Sequence, residues 1–167
     1  MTVHTIQNFI EQKHRDLEYI LEAFIVHSNL RQCVLLPKRI HKLIREIYPE
    51  LIITPWARSF FLHRETYQTE VETFVSTILF DEDDRPKDHE IALGKLLGYH
   101  QPMNTAPPYP DTSYTFSFDV YPAKRQITIE AQRIVIGTFD IHVIFTEFER
   151  YQRAFEELGV RLMMCVC

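Results

Sequence analysis

The sequence predicts an α+β fold in which helices cover a mainly antiparallel sheet. Three observations lead there. From Ser113 to Phe145 large apolar side chains recur at every second position, which a strand turns into one buried and one wetter face. On either side of that stretch apolar residues recur instead at i, i+3, i+4 and i+7, the spacing of a helix face. The gaps between the alternating runs are too short for crossovers, so neighbouring strands should run antiparallel as a meander.

Taken in order, the first helix is expected over 5–28, where Ile6, Phe9, Ile10, Leu17, Ile20, Leu21, Phe24 and Ile25 form one stripe, with His14 on the same stripe. Ser28-Asn29 should stop it. Gln32–Leu36 is a short apolar run suited to a strand, and Pro37 then opens a helix over 38–48 with Ile40, Leu43, Ile44 and Ile47 inward. Leu51–Thr54 reads as a further short strand stopped by Pro55, and no element is assigned between Trp56 and Arg64. Over 65–79 two patterns compete. Tyr67, Val71, Phe74, Val75 and Ile78 fit a helix, whereas Thr69, Val71, Thr73, Val75 and Thr77 alternate as in a strand. Length favours the helix.

A helix over 88–98 should be closed by Gly98, and prolines 102, 107, 108 and 110 make 100–112 a surface loop. Strands are expected at 113–121, 125–132 and 139–145, with Gly137 at a turn or bulge. Thr146-x-x-Glu149 has the form of a capping box, opening a helix over 146–158 whose inward face is Phe148, Tyr151, Phe155 and Leu158. The run 160–167 is apolar on both faces apart from Arg161, as in a central strand or one buried at an interface.

No repeat or linker interrupts the 167 residues, 46% of them hydrophobic, which suits a single domain spanning 1–167. Three cysteines without framework spacing, and no charged-then-apolar leader, point to the cytoplasm or another reducing intracellular compartment. Acids and bases interrupt every apolar run, so none approaches the roughly 20 residues of a membrane span. Four glycines stand where average usage of about 7% would give roughly 12. Gly94 and Gly98 fit neither the dinucleotide-binding nor the P-loop pattern, so no nucleotide cofactor is expected.

Charge is unevenly distributed along a chain of net charge −5. Arg31 to Arg45 holds five Lys or Arg and no acid, and Lys38, Arg39, Lys42 and Arg45 are the partner-binding candidates, suited to an acidic protein surface or a phosphate. Glu65 to Glu90 holds nine acids against two bases. Within it Asp83, Asp84, Asp88, His89 and Glu90 could ligate a divalent metal, although acids before a helix also complement its dipole. His89, His100 and His142 are candidate general bases, and Cys165-x-Cys167 is more economically read as small apolar packing than as a redox motif. Two functions follow. One is a non-enzymatic interaction protein, self-associating or binding another protein through the basic helix, the acidic segment and the proline-rich loop. The other is a small metal-dependent hydrolase built on 83–90.

Overall fold

The computed structural model describes residues 2–98, 126–140 and 143–165. The expected strand 113–121, the loop 100–112, His100, His142 and Cys167 lie outside them. The fold is α+β, and among the described residues the strands are antiparallel and divided between two three-stranded sheets. No described helix is long and apolar enough to cross a membrane. Contacts group the chain into two compact units, Tyr19–Gly98, and Val3–Glu18 with Tyr99–Cys167.

The stripe expected to form one helix forms two, α1 (Thr2–Glu11) and α2 (Leu17–His27). The polar run Gln12–Asp16 carries no apolar side chain to continue the stripe, and Lys13 turns left-handed (φ 48). The His14 and Lys13 N–H groups then donate back to the Phe9 and Ile10 carbonyls at 2.9 and 3.1 Å, the bond pattern that closes a helix end. Asn29 (φ 59) closes α2 in the same way, with Leu30 N–H donating to Ile25 O at 3.0 Å.

In the unit Tyr19–Gly98, β1 (Cys33–Pro37), β2 (Ile52–Trp56) and β3 (Ser59–His63) form a sheet of order β1-β3-β2. The sequence carries no alternating signal for β3. Its Phe60, Phe61, Leu62 and His63 are all buried, so it shows none of the alternation by which half-buried strands are found. Nor does Pro55 end β2. It lies within the strand, which proline tolerates because β2 is an edge of this sheet. A two-residue loop joins β2 to β3, with Ala57 at φ 51.

Because strand side chains alternate, the register puts Trp56, Phe61 and His63 on one face and Phe60 on the other. Over 65–79 the helix prevails, as a 3₁₀ turn (Glu65–Tyr67) and α4 (Gln68–Thr77). Phe74 of α4 packs on Trp56 and Phe61 at ring distances of 5.3 and 5.6 Å. The basic segment is a 3₁₀ turn (Lys38–Ile40) running into α3 (His41–Ile47), and His41 meets Phe60 at 5.6 Å. So α3 and α4 cover opposite faces of one sheet. α5 (Glu90–Leu96) ends with Gly98 at φ 70, and Tyr67 Oη donates to the Leu96 carbonyl at 3.1 Å.

In the other unit β4 (Gln126–Ala131), β5 (Ile134–Asp140) and β6 (Leu162–Cys165) form a sheet of order β5-β4-β6. Three expectations are corrected here. The third alternating run is not a strand over 139–145. The strand begins at Ile134, because Gln132 and Arg133, both left-handed (φ 53 and 66), make a two-residue turn without glycine. The helix begins early, as α6 (Ile144–Glu156), with Val143 at its N-cap. Thr146 therefore lies inside the first turn, and Phe145 is 73% exposed. Among the described residues the C-terminal strand lies at an edge and not at the centre, and Met163 and Met164 are exposed.

The bulge expected at Gly137 is present, since the β4–β5 register shifts between Ile129 and Glu130, and Gly137 pairs with Ile129. A Cβ on Gly137 would lie 2.5 Å from the Phe139 ring, which is buried and rests edge-on against Tyr151 of α6 at 5.4 Å. The ring cannot retreat without unpacking α6. Gly137→Ala should therefore lower unfolding stability by about 1–3 kcal/mol in urea melts, an overpacking cost. An unchanged midpoint would mean that the ring yields freely.

Candidate functional site

The sheet of the unit Tyr19–Gly98 displays opposite charge on its two faces. On the Phe60 side, Lys38, Arg39, Lys42 and Arg45 are all exposed while Ile40, Ile44 and Ile47 are buried, so the predicted partner-binding cations stand together on the outer surface. The Arg39 guanidinium lies over the Tyr19 ring, 5.5 Å from its centroid. Beside this surface is a cleft of about 250 Å³, lined by Lys38, His41, Ile53, Pro55 and Phe60. Its apolar floor comes from β2 and β3 and its rim is cationic.

On the Trp56 side lies the acidic segment. Phe80 and His89 rest against the Trp56 ring at 6.3 and 5.5 Å, which holds both ends of the segment to the sheet. The tight turn between them is built by Asp81, whose carboxylate accepts the N–H groups of Asp83 and Arg85 at 2.9 and 2.8 Å. Asp81 was not among the sequence candidates, yet its spacing to the acids beyond it is that of an Asx turn. Glu82, Asp83, Asp84, Asp88 and Glu90 are exposed, and so is Leu79, at 73%. The proposed metal ligands Asp83, Asp84, Asp88, His89 and Glu90 are thus strung along the surface. Among the described residues no group of three or more His, Cys, Asp or Glu is arranged to hold a metal ion.

His89, also a candidate base, is half-buried and lines a cleft of about 300 Å³ with Trp56, Arg58, Asp84, Arg85 and Leu93. Its Nδ1 and the indole Nε1 of Trp56 are buried with no hydrogen-bond partner among the described residues, an arrangement that costs about 1–3 kcal/mol for a neutral group.

Among the described residues, His63 has both ring nitrogens bonded, and it was not a sequence candidate. His63 is fully buried in β3, where its Nδ1–H donates to the Arg64 carbonyl at 2.9 Å. That fixes the tautomer, so Nε2 accepts from the Thr54 hydroxyl at 2.9 Å. Arg64 then turns to α2 and donates from Nη1 to the Val26 and His27 carbonyls at 3.4 and 2.7 Å, where a cation complements the helix end. His27 in turn pairs with Glu50 at 2.8 Å and lies over the Tyr48 ring at 4.7 Å. No periodicity marks His63, because it sits in an unalternating strand. Burial likewise pushes the Cys33 thiol, opposite His63 in the ladder, up to about 12, so it stays protonated and packs as a small apolar group. Cys33 and Cys165 belong to different sheets.

Burial lowers the His63 pKa below its ordinary 6.5, against a smaller opposing effect of the Arg64 carbonyl. The neutral form is therefore favoured by folding, and the unfolded chain binds more protons as pH falls below 6.5. The stabilisation is complete above that value and is lost as pH drops toward the folded pKa. Stability of the wild type should fall with acidification across this window, and His63→Gln should show a shallower slope in urea melts at stepped pH. Identical slopes would mean that His63 is not held neutral. No protein family, curated protein or solved structure matches the chain.

Proposed function

We propose that this chain is a non-enzymatic assembly protein that binds a protein partner, in the first instance a second copy of itself, through the two oppositely charged faces of its first sheet. The observation that carries this reading is the segregation of charge across a single small sheet. Lys38, Arg39, Lys42 and Arg45 lie on the α3 side, and the acids of 81–90 lie beyond Trp56 on the opposite side. Charges so placed cannot neutralise each other within one unit, but they suit a head-to-tail contact between copies.

Shape supports the same pairing. Leu79 projects beside the acidic turn, and the cleft of about 250 Å³ bordered by Lys38 has an apolar floor at Ile53, Pro55 and Phe60. An apolar side chain flanked by carboxylates would meet an apolar recess flanked by cations. Both partners of such a contact are exposed, so charge would set register and encounter rate and supply a salt-screened share of the affinity, and burial of Leu79 would supply the rest.

Static light scattering at about 0.01 M and 1 M salt tests this, since the Debye length falls from about 30 Å to about 3 Å. Mass should rise with protein concentration at low salt and return toward the monomer at high salt. The Lys42→Glu/Arg45→Glu chain should remain monomeric alone, yet form mixed dimers with an Asp83→Lys/Asp84→Lys chain. Leu79→Ser should weaken association at the low salt concentration. A wild-type chain that is monomeric under all conditions removes the second copy as the partner.

A further inference from the structure

We propose that the corner between α1 and α2 and the tip of the β4–β5 hairpin together form a binding site for a small molecule carrying a phosphate monoester. Both elements belong to the unit that joins Val3–Glu18 to the C-terminal segment, and they enclose a cavity of about 600 Å³. That lies within the roughly 300–1,000 Å³ range of small-molecule sites. Lys13 and Arg15 reach it from the corner and Arg133 from the hairpin tip, and Glu18 is the one acid in its lining. Three cations line it against Glu18, with Asp16 paired to Arg15 behind them, so among the described residues the lining is net cationic, opposed to the −5 of the whole chain. A phosphate monoester carries about −1.5 to −2 at neutral pH, which matches it.

Arg15 is exposed and its Nε lies 3.5 Å from the carboxylate of the buried Asp16. The Asp16 N–H donates to His14 Nδ1 at 3.1 Å, so the neutral imidazole carries its proton on Nε2 and offers a further donor. The His14 ring is fixed edge-on by Phe9 at 4.8 Å. Arg presents a planar fork that matches phosphate oxygens, while Lys acts as a point charge. Glu18 and Gln132 can take hydroxyl groups on the rest of the ligand.

Backbone strain points to the same place. Lys13, Gln132 and Arg133 hold φ values of 48, 53 and 66, in the region that favours glycine, and all three line this one cavity. Turn chemistry alone would choose glycine or asparagine at these corners. Charged and amide side chains stand there instead, at three of the seven described non-glycine positions with positive φ, and they add polar groups to the lining.

Titrating the ¹⁵N-labelled full chain with ribose 5-phosphate, and separately with ribose, at constant ionic strength tests the site by NMR. Saturable shifts at the amides of 13–18 and 132–134 are expected with ribose 5-phosphate and none with ribose. Arg133→Gln and Lys13→Gly should each weaken binding by about tenfold, the loss of one charge-assisted hydrogen bond. Lys13→Gly keeps the fold because glycine suits the left-handed corner, so a loss of affinity in that variant reports the charge. Equal shifts from ribose, shifts that grow without saturating, or affinities unchanged in both variants would overturn the proposal.

Discussion

The unit Tyr19–Gly98 depends on a strand with no exposed side. β3 is hydrogen-bonded to β1 on one edge and to β2 on the other, and four of its five residues are buried. Such a strand is stable only if both faces are covered and every backbone group is paired, since an unpaired buried amide costs about 1–3 kcal/mol. That requirement places α3 against Phe60 and α4 against Phe61, on opposite sides. It also explains why a histidine in this strand must satisfy both ring nitrogens locally, from Thr54 and the Arg64 carbonyl. The opposed charged surfaces are a consequence, because each rides on whatever covers its face.

Much of the architecture is legible in the sequence where one face of an element meets water. The stripe of Ile40, Ile44 and Ile47 gives α3, and Val71 and Phe74 give α4 despite the β-branched residues between them, because a ten-residue run has a helix face to bury. The fold class follows from such signals. Legibility fails in two physical situations. In β3 both faces are buried, so there is no alternation to read. At Lys13 and Gln132-Arg133 the chain reverses without glycine, so a search keyed to glycine and proline runs one helix through Lys13 and misplaces the β4–β5 turn. The onset of α6 at Ile144 was hidden for a related reason: its first turn continues the alternation of the strand before it.

The candidate surfaces divide the same way. Lys38, Arg39, Lys42 and Arg45 were found because exposed charge needs no partner to reveal itself, and the helix period sets all four outward. The acids of 83–90 were found as a cluster in sequence, but a turn organised by Asp81 spreads them along the surface. The cationic cavity was not found, because its cations come from positions 13–15 and 133, which only the folded chain brings together. Proximity across the fold is information that no local window contains.

Pro55 in the edge strand β2 has a further consequence. A proline within a ladder turns its nitrogen toward the open side, so the rim of this sheet lacks a donor where an incoming chain would begin to pair. Growth by templated backbone addition, the route to cross-β fibrils, is blocked on that side. Recognition there must be written in side chains, and can be edited one residue at a time.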